Sequence, residues 1–185
     1  DIGTIGAGGI SSGVYTTDSA AQVKYLVNDS ATKFYFAENE EQLDKILEVR
    51  GECPSLKQII VFDMEGLNDF HDDQVLSYEE FLKIGEKTNQ ENPNLWESLV
   101  NNVSPDDIAI LVYTSGTTGN PKAVTHSHGW GYAHLQMAPK HWLCIQENDL
   151  VWATAAPGWQ KWVWSPFLSV LGMGATAFVY NLSLI

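Results

Sequence analysis

The stretch Tyr113-Thr-Ser-Gly-Thr-Thr-Gly-Asn-Pro-Lys-Ala-Val-Thr-His126 decides how this chain is read. It continues Ile108-Ala-Ile-Leu-Val-Tyr113, an apolar run bounded by polar residues, which is the pattern of a strand covered on both faces. Thr114, Ser115, Thr117 and Thr118 then supply clustered hydroxyls, and Gly116 and Gly119 let backbone N–H groups turn toward one anion with no Cβ in the way. Lys122 adds a full positive charge. A Ser/Thr/Gly-rich surface turn explains the glycines but not the hydroxyls and the lysine together. The stretch therefore reads as a phosphate-cradling loop between an apolar strand and a second short strand.

A Walker A loop would place the lysine directly after the last glycine, with Ser or Thr next. Here Asn120 and Pro121 intervene. Pro121 lacks an N–H and disfavours helical geometry at Asn120, so no helix is expected to start at Gly119.

Working outward, the first hundred residues read α, β, α, β. Ser19 caps a helix with Val23, Leu26 and Val27 on one face, and Lys33–Ala37 is a short strand. Asn39 with Gln42 resembles a capping box, followed by Leu43, Ile46 and Leu47 at helical spacing. Gln58–Phe62 is the next buried strand. Ser77-Tyr-Glu-Glu80 opens a short helix, and the polar Gly85–Asn94 stretch reads as a loop. The opening Gly3–Gly9 lacks a preceding strand and GxGxxG spacing, so it predicts a tight reversal, not a dinucleotide site. Toward the end, Ser165 is the expected N-cap of a helix running to Gly172, before a strand Ala175–Tyr180. Strands separated by single helices imply an α/β fold with mostly parallel strands and crossover helices.

Composition narrows the function classes. An apolar fraction of 44% is that of a globular chain. Residues 1–112 carry 21 Asp/Glu against 7 Lys/Arg and residues 113–185 carry 2 against 3, so no basic patch suits a nucleic-acid backbone. Cys53 and Cys144 show neither disulfide-framework nor zinc spacing, and reduced thiols fit a cytoplasmic protein. His126, His128, His134 and His141 have no nearby carboxylate or cysteine, so packing and hydrogen bonding are the expected roles and no metal site is expected. Six of the seven Trp residues lie between positions 130 and 164. Trp142, Trp152, Trp162 and Trp164 are expected in the core.

The segment Thr114-Ser-Gly-Thr-Thr-Gly-Asn-Pro-Lys122, followed by Val124 and His126-Ser-His128, closely resembles the signature loop of the adenylate-forming superfamily, which includes the acyl-CoA synthetases. Ala123 departs from that pattern, where Gly is usual. Residues 3–62, through Ala7-Gly-Gly-Ile-Ser-Ser-Gly-Val-Tyr15 and Gln22-Val-Lys-Tyr-Leu-Val27, resemble the long-chain fatty acyl-CoA synthetases. Residues 126–180, through Trp152-Ala-Thr-Ala-Ala-Pro-Gly-Trp159 and Trp162-Val-Trp164, are more similar to the acetyl- and medium-chain enzymes. Either a lineage between the two groups or a joining of two related genes accounts for this.

The resemblance implies two chemical steps: MgATP and a fatty acid give an acyl-adenylate, and coenzyme A then takes the acyl group as a thioester. It implies that Thr114, Ser115, Gly116, Thr117, Thr118, Gly119 and Lys122 grip the β- and γ-phosphates, with Lys122 the catalytic group. Gly158, Trp159 and His126 are implied on the acid side. It further implies a partial adenylation domain, with an α/β sub-region over 1–104 and the phosphate loop and acyl pocket over 105–185. The magnesium-binding Glu, the ribose-binding Asp and the small C-terminal domain with its own lysine are expected beyond this chain, so that alone it performs no complete turnover. A non-ribosomal adenylation domain or a luciferase-like enzyme is the alternative within the superfamily, and a non-catalytic nucleotide-binding module the alternative outside it.

Overall fold

A computed structural model describes residues 1–114, 120–154 and 163–179. They sort into two units, one of residues 16–96 and one of residues 1–15 with 97–185. The fold is α/β, and of the strand pairings among the described residues only one is antiparallel.

The unit of residues 16–96 is built on three parallel strands in the order β2-β3-β4, where β2 is Phe34–Ala37, β3 Gln58–Val61 and β4 Val75–Ser77. Helix α2, Ala20–Asp29, begins at Ser19, whose hydroxyl accepts from the Gln22 N–H while the Gln22 side chain accepts from the Ser19 N–H, a reciprocal capping box. It buries Val23, Leu26 and Val27 as the spacing predicts. In α3, Glu40–Val49, Asn39 caps Gln42, and Leu43 and Ile46 are fully buried. Pairing Tyr35 with Ile59 and Ala37 with Val61 puts four buried side chains on one sheet face. On the other face Phe36 meets Phe81 edge-on at 5.7 Å and stacks with Phe62 at 5.9 Å. Arg50 and Asp72 pair at 2.7 Å, and that guanidinium holds the Asp72 carboxyl below its ordinary range.

Gly85–Asn94, expected as a loop, is mostly helix. Ser77 ends β4 and caps α4, Tyr78–Glu91, in a second capping box with Glu80. Once so nucleated, a run of Glu, Lys and Gln propagates easily, and Gly85, whose missing Cβ would face open space, only weakens it. A further helix, α5, follows at Leu95–Asn101.

The other unit opens with α1, Ile2–Gly6, and the expected reversal comes after this helical turn, at Gly8, whose φ of +76° suits glycine. Strand β5, Ile108–Thr114, runs parallel to the short β1, Ser11–Ser12, on one side and antiparallel to β6, Lys122–Ser127, on the other. Helix α6, His128–Met137, begins at Ser127, and its first N–H groups reach back to the turn before β5: His128 N–H to Asp107 O at 3.0 Å and Gly129 N–H to Pro105 O at 2.7 Å. Strands β7, Leu150–Trp152, and β8, Thr176–Phe178, pair in parallel.

Two helical segments of this unit are π-helical, Ala138–Trp142 and Val163–Leu171. Each carries an early proline, Pro139 or Pro166, which removes an α-helical donor. The Leu143 N–H accordingly reaches Ala138 O, five residues back. Ser165 is therefore not the N-cap, because the helical run already starts at Val163. Among the described residues no helix is long and apolar enough to cross a membrane.

The tryptophans divide. Trp164 is buried at 8% exposure, whereas Trp142 at 83% and Trp152 at 61% are not core residues, contrary to expectation. Trp152 instead meets Phe178 edge-on across the β7–β8 pair at 5.9 Å. Trp162 lies outside the described residues. Both cysteines are free, Cys53 buried and Cys144 exposed.

Two substitutions test this account by denaturant unfolding of the protein. Leu43→Ala should cost about 2–5 kcal/mol through the cavity it leaves, and Ser77→Ala about 1 kcal/mol through loss of the cap. Equal effects would contradict the burial contrast between the two positions.

Candidate functional site

The β5–β6 hairpin positions the sequence-predicted loop. Its register pairs Tyr113 with Ala123 and Thr114 with Lys122, so the first hydroxyl and the cation of the motif stand opposite each other at the neck. Ser115, Gly116, Thr117, Thr118 and Gly119 lie outside the described residues, as do Gly158 and Trp159. Thr114 and Lys122 are exposed, and Lys122 makes no ion pair among the described residues. An exposed ammonium beside a hydroxyl at the mouth of a glycine-rich connection is suited to an anion.

His126 sits elsewhere. Strand alternation puts it on the same face of β6 as Lys122, but four residues on, about 13 Å along the strand. It pairs with Ile110, whose side chain belongs to a core cluster with Ala109 and Trp164. Its ring lies 4.5 Å from that of Trp130 and 5.1 Å from that of Trp164. Trp130 in turn stacks on His134 at 5.3 Å and approaches Trp164 to 4.1 Å. The His134 Nε2 and Ser169 Oγ are hydrogen-bonded at 3.0 Å, and Ser169 is fully buried.

This ring cluster was not anticipated as a unit. Its sequence signal is the spacing of Trp130 and His134, four apart and so on one face of α6. The contribution of Trp164 and Ser169 from a run more than thirty residues later has no local signature. Of the four histidines, His126 and His134 share this cluster, whereas His128 opens α6 and His141 lies in a π-helical turn. Among the described residues no group of three His, Cys, Asp or Glu side chains could hold a metal ion.

The chain matches the AMP-binding enzyme family over residues 1–183. It belongs to that family. An uncharacterised acyl–CoA ligase of Bacillus subtilis is 48% identical over 148 residues, which is 74% of this chain and 27% of that protein. A long-chain-fatty-acid–CoA ligase of Macaca fascicularis is 35% identical over 123 residues, 66% of this chain and 16% of its own length. This AMP-binding chain thus spans about a quarter or less of these relatives. Among solved structures, an anthranilate CoA ligase in complex with anthranoyl-AMP superposes with a TM-score of 0.67 at 20% identity, covering 95% of this chain and 31% of that one. A benzoate CoA ligase from Burkholderia xenovorans gives 0.60 at 20% identity, over 91% and 29%. At such identities the likeness is one of fold.

Burial lowers the pKa of both His126 and His134 from the ordinary 6.5, a backbone hydrogen bond to Trp164 partly opposing this at His134. The unfolded chain therefore binds these protons more readily than the folded one. Stability from the cluster is full above 6.5 and is lost as pH falls below it toward the depressed folded values. Thermal unfolding at pH 7 and pH 5 should show a lower Tm at the acid end, and a smaller drop in a His126→Asn/His134→Gln double variant; an undiminished drop would place the sensitive groups elsewhere.

Proposed function

We propose that the protein carrying this chain activates a medium- or long-chain fatty acid with ATP and passes it to coenzyme A. The observation that carries the reading is the Thr114–Lys122 pairing, which places a hydroxyl and an exposed cation at the neck of the Gly/Ser/Thr connection. Relatives named acyl–CoA and long-chain-fatty-acid–CoA ligases agree with it. An acid oxygen bonds to the α-phosphorus as the bond to the β-phosphate bridge breaks, releasing pyrophosphate. The coenzyme A sulfur then bonds to the acyl carbon and AMP leaves.

In the first step negative charge gathers on the departing pyrophosphate. Lys122, Thr114, Ser115, Gly116, Thr117, Thr118 and Gly119 would hold those oxygens, and donors fixed in advance lower the barrier with little reorganisation. Magnesium, entering with the nucleotide, would neutralise part of the same charge. Gly158, Trp159 and His126 are proposed on the acid side, where large apolar rings suit a fatty chain.

Acid-dependent ATP–pyrophosphate exchange by the full-length protein, with acetate, octanoate and palmitate, tests this. Exchange should favour the two fatty acids, and Lys122→Ala should lower it about 10²–10³-fold. ATP binding with no exchange for any acid would instead favour a non-catalytic nucleotide-binding module.

A further inference from the structure

The run Val163–Leu171 is π-helical, a wide and rare geometry with i→i+5 bonding that recurs at functional sites. Helix α6 touches it repeatedly. The His134 ring is hydrogen-bonded to Ser169 Oγ at 3.0 Å and lies 5.6 Å from the Trp164 ring. Next to it, Leu135 abuts Gly172, where an added Cβ would lie 2.5 Å from the leucine Cδ2.

What the run presents in return is the Trp164 ring. It is buried against Trp130 at 4.1 Å and stands edge-on to His126 at 5.1 Å. His126 thus packs against two indoles that also touch each other, one from α6 and one from the π-helical run. The His134 ring touches both indoles, at 5.3 Å from Trp130 and 5.6 Å from Trp164, and its bond to Ser169 ties it to the run that carries the second.

We infer that His134 and Ser169 form a positioning pair which, by fixing Trp164 against Trp130, sets the orientation of His126 and so tunes recognition of the acid without touching ATP. This rests on the acid-activating reading above, in which His126 stands on the acid side. A pure packing contact would lower stability and affect all substrates alike. A positioning pair raises the KM for the acid alone.

The test uses the full-length protein with Ser169→Ala, His134→Ala, the double variant and His134→Gln, whose amide nitrogen reaches the place of Nε2. Pyrophosphate exchange is measured against octanoate and against ATP, and the near-ultraviolet circular dichroism of the Trp130–Trp164 pair is recorded in parallel. Each alanine variant should raise the octanoate KM about tenfold, with the ATP KM within about twofold. The double variant should be no worse than the worse single one, since both remove one bond. His134→Gln should recover most of the loss. An octanoate KM unmoved in both alanine variants, or an ATP KM rising in step with it, overturns the inference while the exchange itself upholds the activity. No acid-dependent exchange in the unmodified protein overturns the acid-activating reading and this inference with it. Dichroism retained in every variant would also overturn the inference, because Trp164 would then not need the pair.

Discussion

The antiparallel pairing of β5 with β6 is the constraint on which the later unit depends. It closes the loop by bringing Thr114 opposite Lys122. At the other end of β6, Ser127 caps α6, and the first N–H groups of that helix bond the turn that feeds β5. One hairpin therefore fixes both the Thr114–Lys122 neck of the candidate site and the helix carrying Trp130 and His134. Sliding β6 by a single residue would turn Lys122 and His126 to the opposite face together, because the side-chain period of a strand is two. Burial of His126 at 9% exposure beside Ile110 resists that slip.

Much of this was legible in the sequence where short-range physics decides. Ser19 and Asn39 announced their helices because a hydroxyl or amide cap acts within three residues. Val23, Leu26, Leu43 and Ile46 announced their buried faces through helical spacing. The apolar run before Thr114 announced a strand, and the Pro121 argument against a helix at the loop agrees with Lys122–Ser127 being a strand.

Failures came where composition and conformation part ways. Gly85–Asn94 is polar because α4 is largely exposed, and polarity alone does not mark irregular structure. Trp142 and Trp152 are large and apolar, yet size does not say which side of a π-helical turn or a two-stranded sheet a ring occupies. The π-helical geometry at Pro139 and Pro166 shifts the register that α-helical spacing assumes. For the candidate site, the neck residues were read from the motif itself. The His134–Ser169 bond joins positions 35 apart and leaves no periodic trace.

The parallel pairing of Ser11 with Ile110 has a consequence for the order of assembly. Residues 16–96 form a unit of their own, enclosed in sequence between the two parts of the other. Closing the chain from Ser11 to Ile110 costs about 2 kcal/mol more in loop entropy than closing it from Thr114 to Lys122. During vectorial synthesis the enclosed unit has all its strands before β5 leaves the ribosome, and the hairpin then closes locally. β1 waits longest for its partner, so Ser11–Ser12 is the last strand of the mixed sheet to be added, docking as an edge onto a hairpin already made.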